Sequence, residues 1–384
     1  MRNCTALLSA GLLVSGCTVG PNYKRPTVAV PTSYRGVAPD ETVQADTAAL
    51  GDQKWWNIFQ DEQLRTLIHI ALQQNYDLRI AASRILEAKA QLGITRADQF
   101  PTVSAGAGIA DVRTAQSKFL PAFETSAGQV NLSAAWELDF WGKFRRATEA
   151  ARANLLASEW ARQEVVSTLV ANVAAAYFQL RALDLELEIS KRTFDSRQES
   201  LRLTQILANG GATSLLDVRQ AEQLVFTAGA EIPALEQQIE QQENFLSILL
   251  GQNPGDVPRG RTLTEQRQPP EVPPGLPSSL LERRPDIRQA EAQLVAANAE
   301  IGVARADYFP QISLSGAGGF QSSALTNLFS GPAGAWSFGA SLAQPIFTGA
   351  GSALRCVSRR HASRRRCCFT NNRFREPFAT SPTP

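Results

Sequence analysis

One long segment occurs twice in this chain. Residues Asp77 to Ser104 (DLRIAASRILEAKAQLGITRADQFPTVS) align without gaps with Asp286 to Ser313 (DIRQAEAQLVAANAEIGVARADYFPQIS), and 12 of the 28 positions are identical at a constant offset of 209 residues. Both copies end in Arg-Ala-Asp-x-Phe-Pro, and two unrelated alanine-rich helices would not share that ending by chance. The sequence therefore predicts one structural unit that is written twice.

Each copy predicts a helix that leads into a strand. The helices end before Pro101 and Pro310, because the residue before a proline disfavours helical backbone geometry. Phe100-Pro101 and Phe309-Pro310 are therefore predicted to be the hinges of the repeat. Alternating stretches of small residues follow at Thr102 to Val112 and Gln311 to Phe320.

Two further stretches alternate with the period of a strand, GQVNLSAAWEL at residues 128–138 and WSFGASLAQ at residues 336–344. Their apolar face is predicted to contact lipid, through Val130, Leu132, Trp136, Leu138, Trp336, Phe338 and Leu342. The opposite face carries Gly, Ser, Asn and Gln rather than Lys. This favours a water-filled lumen over the alternative, a half-buried sheet in a soluble domain. The strands also come as two pairs far apart in the chain, which argues against a single local meander.

These four strands are too few for a closed barrel. Membrane β-barrels need about eight or more strands, and an open sheet edge is not tolerated in lipid. We therefore predict that subunits associate and that each lends four strands to a shared barrel. The predicted fold class is an α+β membrane protein with a transmembrane β-barrel, a long α-helical coiled-coil part and two internal repeats.

The predicted helical part lies between the strand pairs. Phe144 to about Ala208 contains no proline and predicts one helix roughly 100 Å long at 1.5 Å per residue. Asn209-Gly210-Gly211 ends it, and Thr213 or Ser214 caps a second helix that runs to Leu250, with Asp217 in its first turn. Pro233 should kink this second helix. A helix from Asp61 to Asp98 would have the same length as the one from Thr213 to Leu250.

The N-terminus predicts a lipid anchor. A positive start at Arg2 and an apolar stretch from Ala6 to Val14 are followed by Val14-Ser15-Gly16-Cys17, the pattern of a bacterial lipobox. We predict that residues 1–16 are a lipoprotein signal peptide and that Cys17 is acylated at the start of an extended segment, residues 17–60. The alternative is an ordinary signal peptide with a chance cysteine. Thr18 favours the outer membrane, and no other apolar run predicts a transmembrane helix.

No pattern of an enzyme or a metal site occurs in the sequence. Cys356, Cys367, Cys368 and His361 lack zinc-ligand spacing, and His69 stands alone on a predicted helix. The sequence contains no phosphate loop, no serine elbow and no paired-carboxylate pattern. We therefore predict no catalytic residue, no metal and no cofactor.

The C-terminal residues differ from the rest of the chain. Residues 355–384 hold eight arginines and three of the five cysteines but one acidic residue, whereas residues 1–349 hold 30 Lys and Arg against 35 Asp and Glu. The tail shows no helical periodicity, and it interrupts the second copy of the repeat. One interpretation is a solvated basic arm. We favour a one-base frameshift near codon 350, because the shifted reading permits a helical continuation such as Ala-Leu-Leu-Leu-Tyr-Gln-Gln.

The predicted domains are therefore residues 61–250 (first repeat), 251–279 (linker), 280–349 (truncated second repeat) and 350–384 (atypical basic tail).

Three segments carry a resemblance to a known family. They are Cys17 to Pro26 (CTVGPNYKRP), Trp55-Trp56-x-x-Phe59-x-Asp61, and the stretch from Leu276-Pro277-Ser278 to Arg284-Pro285-Asp286. In combination they resemble the TolC-like outer-membrane efflux factors, and more narrowly the NodT/OprM-type lipoprotein branch. The resemblance covers the chain up to about residue 349.

The resemblance implies a homotrimer in an outer membrane, with a barrel continuous with a periplasmic helical tunnel. It implies a passive exit duct for drugs or other small molecules in a tripartite RND-type efflux system. Its partners would be membrane lipid, a periplasmic adaptor and an inner-membrane RND transporter, with no nucleic acid. By the same analogy Gly210, Gly211, Thr213, Ser214, Leu215 and Asp217 would face the adaptor, although a plain helix–turn–helix explains the same residues. If the frameshift is real, this copy is truncated and its activity is in doubt. The alternatives are a periplasmic coiled-coil adaptor lipoprotein and the exit duct of a type I protein secretion system.

Overall fold

The computed structural model describes residues 18–26, 55–116, 118, 121–266 and 283–379. The predicted signal peptide and Cys17 lie outside these residues. The chain divides into two compact units. Unit 1 contains residues 1–29, 85–159 and 286–381, and unit 2 contains residues 30–84, 160–285 and 382–384.

Helices and strands alternate in the same order in both copies of the repeat. The helices are α1 (Trp55–Ile58), α2 (Glu62–Gln74), α3 (Tyr76–Ala97), α4 (Lys143–Asn209), α5 (Leu215–Leu250), α6 (Pro285–Ala306) and α7 (Gly351–Ala379). The strands are β1 (Thr102–Arg113), β2 (Glu124–Leu138), β3 (Gln311–Ser322) and β4 (Gly334–Ala343). The two long helices that the sequence predicts after β2 are therefore confirmed.

The repeat is visible in the backbone hydrogen bonds as well as in the sequence. In the first copy, α3 ends with bonds from Gln99 N to Arg96 O and from Phe100 N to Ala97 O. In the second copy, Tyr308 N bonds to Arg305 O and Phe309 N bonds to Ala306 O. Each pair lies 209 residues after its counterpart, so both copies turn from helix to strand in the same way.

All four strands form one antiparallel sheet in unit 1, in the order β1-β2-β3-β4. The sheet is not a local meander, because its two halves come from distant parts of the chain and are joined where β2 pairs with β3 from Gly128↔Ser322 to Leu138↔Ile312. Local periodicity identifies a strand but says nothing about which distant strand completes its hydrogen bonds.

The register of the sheet brings the predicted apolar residues to one face. Val130 lies opposite Phe320, and Leu138 lies opposite Ile312, which in turn pairs with Leu342. Trp336 and Phe338 are on this face too, and their side chains are 84% and 72% exposed. The other face carries small polar residues, and serine pairs cross it at Ser104–Ser133 and Ser313–Ser341, both with Oγ atoms 2.8 Å apart.

Asn75 divides the helix that was predicted as continuous from Asp61 to Asp98. Its backbone N–H still bonds Ala71 O at the end of α2, while its side-chain oxygen accepts from Leu78 N at the start of α3. The Asn75 amide also donates to Leu249 O at 3.0 Å. Asparagine favours capping over the interior of a helix because its side chain competes for backbone hydrogen bonds, so the prediction of one helix was wrong.

The core of unit 2 lies between α2, α4 and α5. Leu64, Ile68, Val173, Tyr177 and Leu246 are among its completely buried side chains. Of the helices that the structure describes, α4 alone is long and apolar enough to cross a membrane by length and composition, although the sequence predicts no transmembrane helix there. A core helix passes the same test, and the buried residues of α4 from Leu169 to Leu183 belong to this core.

The turn between α4 and α5 is built as the sequence predicts. Of the two candidate caps it is Ser214 that accepts from Asp217 N, and Asp217 completes the capping box. Pro233 lies inside α5. Gly251 ends the helix with φ +73°, and a Cβ there would lie 2.5 Å from Gln74 O, so only glycine fits.

In unit 1, α6 contacts both α4 and α7. Ala150 and Ala153 of α4 pack on Ala296 and Ala299 of α6, where small side chains let the two helices approach closely. On its other side, α6 faces α7 through groups spaced seven residues apart on both helices. These pairs are Arg359–Glu300, Arg366–Gln293 and Arg373–Asp286.

The helix α7 overturns the expectation that the tail lacks helical structure. Alanine and arginine have high helix propensity, and the pairs with α6 stabilise the helix further. Cys356 and Thr370 of α7 are 6% and 3% exposed, so this helix packs within unit 1 and is not a solvated arm. The frameshift concerns the coding DNA and stays a prediction.

Candidate functional site

The sheet has the composition that membrane spanning requires, with an apolar face and a small polar face. Glycine is needed where the backbones crowd: a Cβ on Gly319 would lie 2.1 Å from Val130 O and 2.6 Å from Asn131 Cα. The outer edges of β1 and β4 pair with no strand in the part of the chain that the structure describes. Such edges need further strands before the sheet can exist in lipid.

Tryptophans lie where the sheet meets the helices. Trp136 Nε1 donates to Gln99 O at 3.0 Å, and Trp141 Nε1 donates to Pro310 O at 2.8 Å. Trp141 also stacks on Phe309, with ring centroids 4.7 Å apart. Tryptophan is enriched at membrane–water boundaries because its ring is apolar and its N–H is polar. The predicted hinge residues Phe309 and Pro310 are thus held by a boundary tryptophan, whereas Phe100 is 61% exposed.

The segment after Cys17 is fastened to the same boundary. Val19 N donates to Trp141 O at 3.0 Å, and Asn298 donates to Pro21 O at 2.9 Å. Gly20 has φ +115°, and a Cβ there would lie 2.5 Å from Gly302 Cα. The first residues after the predicted acylation site therefore lie beside Trp141.

A second set of contacts holds this segment along α6. Arg25 pairs with Glu291 at 3.1 Å, and the Tyr23 hydroxyl donates to the same carboxylate. Burial, the charge of Glu291 and this hydrogen bond raise the pKa of Tyr23 to about 12. Arg146 donates to Asn22 Oδ1 at 2.6 Å, which ties the segment to α4 as well.

The turn between α4 and α5 presents a polar cluster beside exposed leucines. Asp217 accepts from the Thr213 hydroxyl at 2.5 Å and from the Ser214 hydroxyl at 2.7 Å. These hydrogen bonds, with one from Ser214 N, lower the pKa of Asp217 to about 2. Leu215 is 68% exposed. Gly210 and Gly211 precede the cluster, and Gly211 has φ +77° with open space around it.

Sequence reasoning missed the most highly connected carboxylate in unit 2. Asp61 is 2% exposed and caps α2 by accepting from Gln63 N and Leu64 N through Oδ1. Its other oxygen, Oδ2, accepts from the Tyr177 hydroxyl at 2.9 Å, Arg261 N at 3.1 Å and Gln266 Nε2 at 2.8 Å. We call Asp61, Tyr177, Gly260, Arg261 and Gln266 the Asp61 cluster.

The electrostatics of the Asp61 cluster follow from these contacts. Burial opposes ionisation of Asp61, but the hydrogen bonds from Gln266, Tyr177 and the backbone outweigh it and lower the pKa of Asp61. Burial together with the bond to Asp61 raises the pKa of Tyr177 to about 12. Gly260 leaves no room for a side chain, since a Cβ there would lie 2.4 Å from Asp61 Oδ1. Asp61 belongs to a motif that is visible in the sequence, but the sequence does not predict the role of its carboxylate in this cluster.

An ionic network lies in the same unit. Glu243 accepts from Val257 N at 3.1 Å and pairs with Arg259, which also contacts Asp184 at 3.3 Å. Asp184 pairs with Arg181 at 2.7 Å. Residues 251–266, predicted to be linker, are therefore partly integrated into the fold of unit 2.

Among the described residues, no group of three or more His, Cys, Asp or Glu could hold a metal ion. Cys356, Cys367 and Cys368 are free thiols. The hydrogen bonds and ion pairs described above position the backbone and hold the elements of each unit together.

A sheet with one apolar face, free edges and a tryptophan boundary, joined to long helices, defines a subunit of an oligomeric outer-membrane channel. The family model described as outer membrane efflux protein matches residues 67–252 and 276–364. The chain belongs to this family of outer-membrane efflux components, which extend into the periplasm.

Individual relatives agree with this assignment. The probable efflux pump outer membrane protein TtgC of Pseudomonas putida KT2440 is 38% identical over 358 residues, covering 90% of this chain and 72% of the relative. A crystal structure of CusC, described in terms of transmembrane channel formation, superimposes with a TM-score of 0.84 at 30% identity, covering 94% of this chain and 81% of CusC. The open-state MtrE outer membrane channel of Neisseria gonorrhoeae gives 0.82 at 32% identity, covering 94% and 80%.

These similarities confirm the predicted fold class. The similar structures are trimeric outer-membrane efflux channels in which each subunit supplies a four-stranded sheet and part of a helical tunnel. Such channels work with a periplasmic adaptor and an inner-membrane RND pump. The family is one of channels and not of enzymes.

Proposed function

We propose that this chain forms a homotrimeric exit duct of a tripartite efflux system and performs no catalysis. The observation that carries the proposal is the sheet, with an apolar face toward lipid, a small polar face toward a lumen, and unpaired outer edges on β1 and β4. Edge pairing between copies would leave no strand edge open to lipid. The expected cargo is a drug or another small molecule.

The predicted lipid-facing residues fit this arrangement. Leu132, Trp336, Phe338 and Leu342 are exposed in the single chain, and the register places them on the face that also carries Val130, Trp136 and Leu138. Burying such side chains in hydrocarbon is favourable, and leaving them in water is not. The exposed apolar surface is therefore best explained as lipid contact.

The turn between α4 and α5 is the proposed contact with the periplasmic adaptor. Gly210 and Gly211 let the backbone turn tightly, and the capping box of Ser214 and Asp217 makes the turn rigid. Leu215 then offers apolar area that nothing in the described part of unit 2 covers. A rigid turn with an exposed leucine is suited to docking because little side-chain order is lost on binding.

The segment 18–25 supports acylation of Cys17. Its hydrogen bond to Trp141 places its start at the boundary of the sheet, where a lipid on the preceding residue would reach the membrane. Cys17→Ala should abolish incorporation of labelled palmitate while the protein is still made. Labelling that persists in Cys17→Ala would show that the anchor is elsewhere.

The sequence leaves two alternatives to the efflux duct, an adaptor lipoprotein and a type I secretion duct. The adaptor lipoprotein is not supported, because the family match and the four-stranded sheet both belong to the channel class. A type I secretion duct would share the channel fold, but the similar relatives are described as efflux pump components. We therefore favour small-molecule efflux.

The test compares two neighbouring positions on β2. Leu132→Lys puts a charge on the apolar face, at a cost of about 2–4 kcal/mol near the bilayer centre, while Gln129→Lys puts the same charge on the polar face. We expect wild type and Gln129→Lys to form heat-modifiable trimers that conduct ions in planar bilayers, and Leu132→Lys to form neither. Equal behaviour of the two variants, or a wild type that is soluble without detergent, would refute the channel.

Cargo is tested in cells. Expression in a strain that lacks its own outer-membrane efflux channel but keeps the pump and adaptor should lower drug accumulation, and a vector without insert is the control. Export of a secreted protein without any change in drug accumulation would support the type I secretion alternative.

A further inference from the structure

A cavity of about 470 Å³ lies in unit 1 where α6 ends and α7 begins. Arg305, Tyr308 and Phe309 line it from the end of α6, and Cys356 and Arg360 line it from α7. Val19 of the N-terminal segment completes the wall. Neither the channel function nor the repeat accounts for this cavity.

The lining is positively charged. It contains two guanidinium groups and no carboxylate. Within the ranges that the structure describes, neither Arg305 nor Arg360 has an ion-pair partner. The adjacent carboxylate, Asp307, faces Arg355 at 3.8 Å. Arginine binds phosphate and carboxylate oxygens through its planar fork of N–H donors, so this lining selects an anion.

The equivalent positions in the first repeat carry different residues. Gln99 lies 209 residues before Tyr308, so the two occupy the same position in the repeat. Thr148 of α4 corresponds to Cys356 of α7 when these two helices are aligned on their first hydrogen bonds. Those bonds run from Arg146 N to Gly142 O in α4 and from Leu354 N to Ala350 O in α7. In the first copy Gln99 Nε2 donates to Thr148 Oγ1 at 2.5 Å, so the two side chains bond to each other.

Tyr308 and Cys356 replace the glutamine and the threonine in the second copy, and both line the cavity. Their side chains cannot repeat the amide-to-hydroxyl bond of the first copy. The lining of the cavity therefore depends on residues that differ between the two copies.

The position of the cavity identifies the kind of anion. Phe309 stacks on Trp141, and Val19 N bonds to Trp141 O, so the cavity adjoins the tryptophan boundary of the sheet. This step rests on the outer-membrane placement of the sheet. An anion at that level that also contacts Phe309 and Val19 carries a negative group and an apolar part together.

We propose that this cavity binds the phosphate of an anionic phospholipid from the periplasmic leaflet. Arg305 and Arg360 hold the phosphate oxygens, Tyr308 supplies a hydroxyl donor, and Phe309 and Val19 contact the apolar part of the lipid. The site joins α6 to α7 through the ligand and adds a contact with the membrane beside the segment that follows Cys17.

The experiment uses full-length protein purified in neutral detergent and stripped of lipid. Short-chain phosphatidylglycerol, short-chain phosphatidylcholine and inorganic phosphate are titrated separately, and bound lipid is counted by native mass spectrometry. Wild type should bind phosphatidylglycerol, and Arg305→Ala with Arg360→Ala should weaken binding by about tenfold or more. Arg152→Ala is the matched control, because Arg152 occupies the position of Arg360 in the first repeat.

Trimer formation is followed in every sample, so a failure of the channel is seen separately from a failure of the site. If the double variant does not form trimers, Ala353→Phe fills the cavity while both arginines remain, and it should weaken binding as much. Inorganic phosphate that competes at the same concentration as phosphatidylglycerol would assign the site to free phosphate. Equal binding of phosphatidylcholine, or an equal loss in Arg152→Ala, would overturn the proposal.

Discussion

Replacing Asp61 by asparagine tests the Asp61 cluster, because the substitution keeps the shape of the side chain but removes its negative charge and one of its two acceptor oxygens. Oδ1 of Asp61 accepts from two backbone N–H groups of α2, and Oδ2 accepts from three further donors. Either orientation of an asparagine amide would set its NH₂ group against donors. The helix cap itself survives in one orientation, since asparagine is a good N-cap residue.

The expected cost follows from the burial of these groups. Asp61 is 2% exposed and Tyr177 is completely buried, so donors that lose the carboxylate cannot all turn to water. Hydrogen bonds to a charged group contribute about 1.5–3 kcal/mol each and are not additive. We expect Asp61→Asn to lower the free energy of local opening of unit 2 by about 3 kcal/mol, and Tyr177→Phe to lower it by about 1 kcal/mol.

Hydrogen exchange of the trimer in detergent measures this. Peptides that contain residues 61–68 and 257–266 should exchange about 100-fold faster in Asp61→Asn, because each 1.4 kcal/mol is a factor of ten. The sheet should not change. Asp195→Asn, on the exposed surface of α4, is the matched control and should have no effect.

The pH dependence gives an independent check. The pKa of Asp61 is lowered in the folded protein, so its stabilising contribution is complete above the unfolded pKa of about 3.9 and is lost as the pH falls through the lower folded value. The difference in exchange between wild type and Asp61→Asn should therefore shrink in acid. Exchange in Asp61→Asn that equals wild type at neutral pH would refute this account of the cluster.

Three other predictions concern the sheet, the turn and the tail. Gly319→Ala should prevent trimer formation in semi-native gels, because its Cβ would lie 2.1 Å from Val130 O. The control Gly318→Ala should be tolerated, since nothing lies within 4 Å of a Cβ at that position. Equal yields of trimer from the two variants would contradict the sheet register. The pKa of about 2 for Asp217 means that its capping bonds persist from neutral pH down to about pH 4 and are lost toward pH 2. Asp217→Asn should therefore speed hydrogen exchange of the first turn of α5 at neutral pH but not at pH 2. An unchanged exchange rate at neutral pH would show that the capping box is unimportant. Sequencing the coding DNA across codons 345 to 400 tests the frameshift, which is wrong if no shifted frame continues the helix.

Local pattern was enough to predict most elements of this chain. The period of two in residues 128–138 predicted both the strand and its apolar face, because successive side chains of a strand point to opposite sides whatever the strand pairs with. Gly210-Gly211 and Ser214 predicted the turn and the start of α5, because capping depends on residues within one turn of each other. The repeat predicted that both copies end their helices in the same way.

Local pattern failed where the partner is distant in the chain. The tail was expected to lack helical structure, but α7 is a helix whose arginines lie opposite Glu300, Gln293 and Asp286. The seven-residue spacing of these arginines has a meaning only when α6 lies beside them. Asn75 looked like an ordinary helical residue, although its amide bonds to Leu249 O far along the chain.

The sequence by itself determined the repeat, the two long helices α4 and α5, and the two faces of the sheet. The tertiary structure alone decided that β2 pairs with β3, that Asp61 gathers donors from α2, α4 and residues 261–266, and that a cavity is left between α6 and α7. The physical reason is the range of the interactions. Backbone geometry and side-chain periodicity act over a few residues, whereas hydrogen-bond partners such as Asp61 and Gln266, 205 residues apart, are chosen when the chain packs.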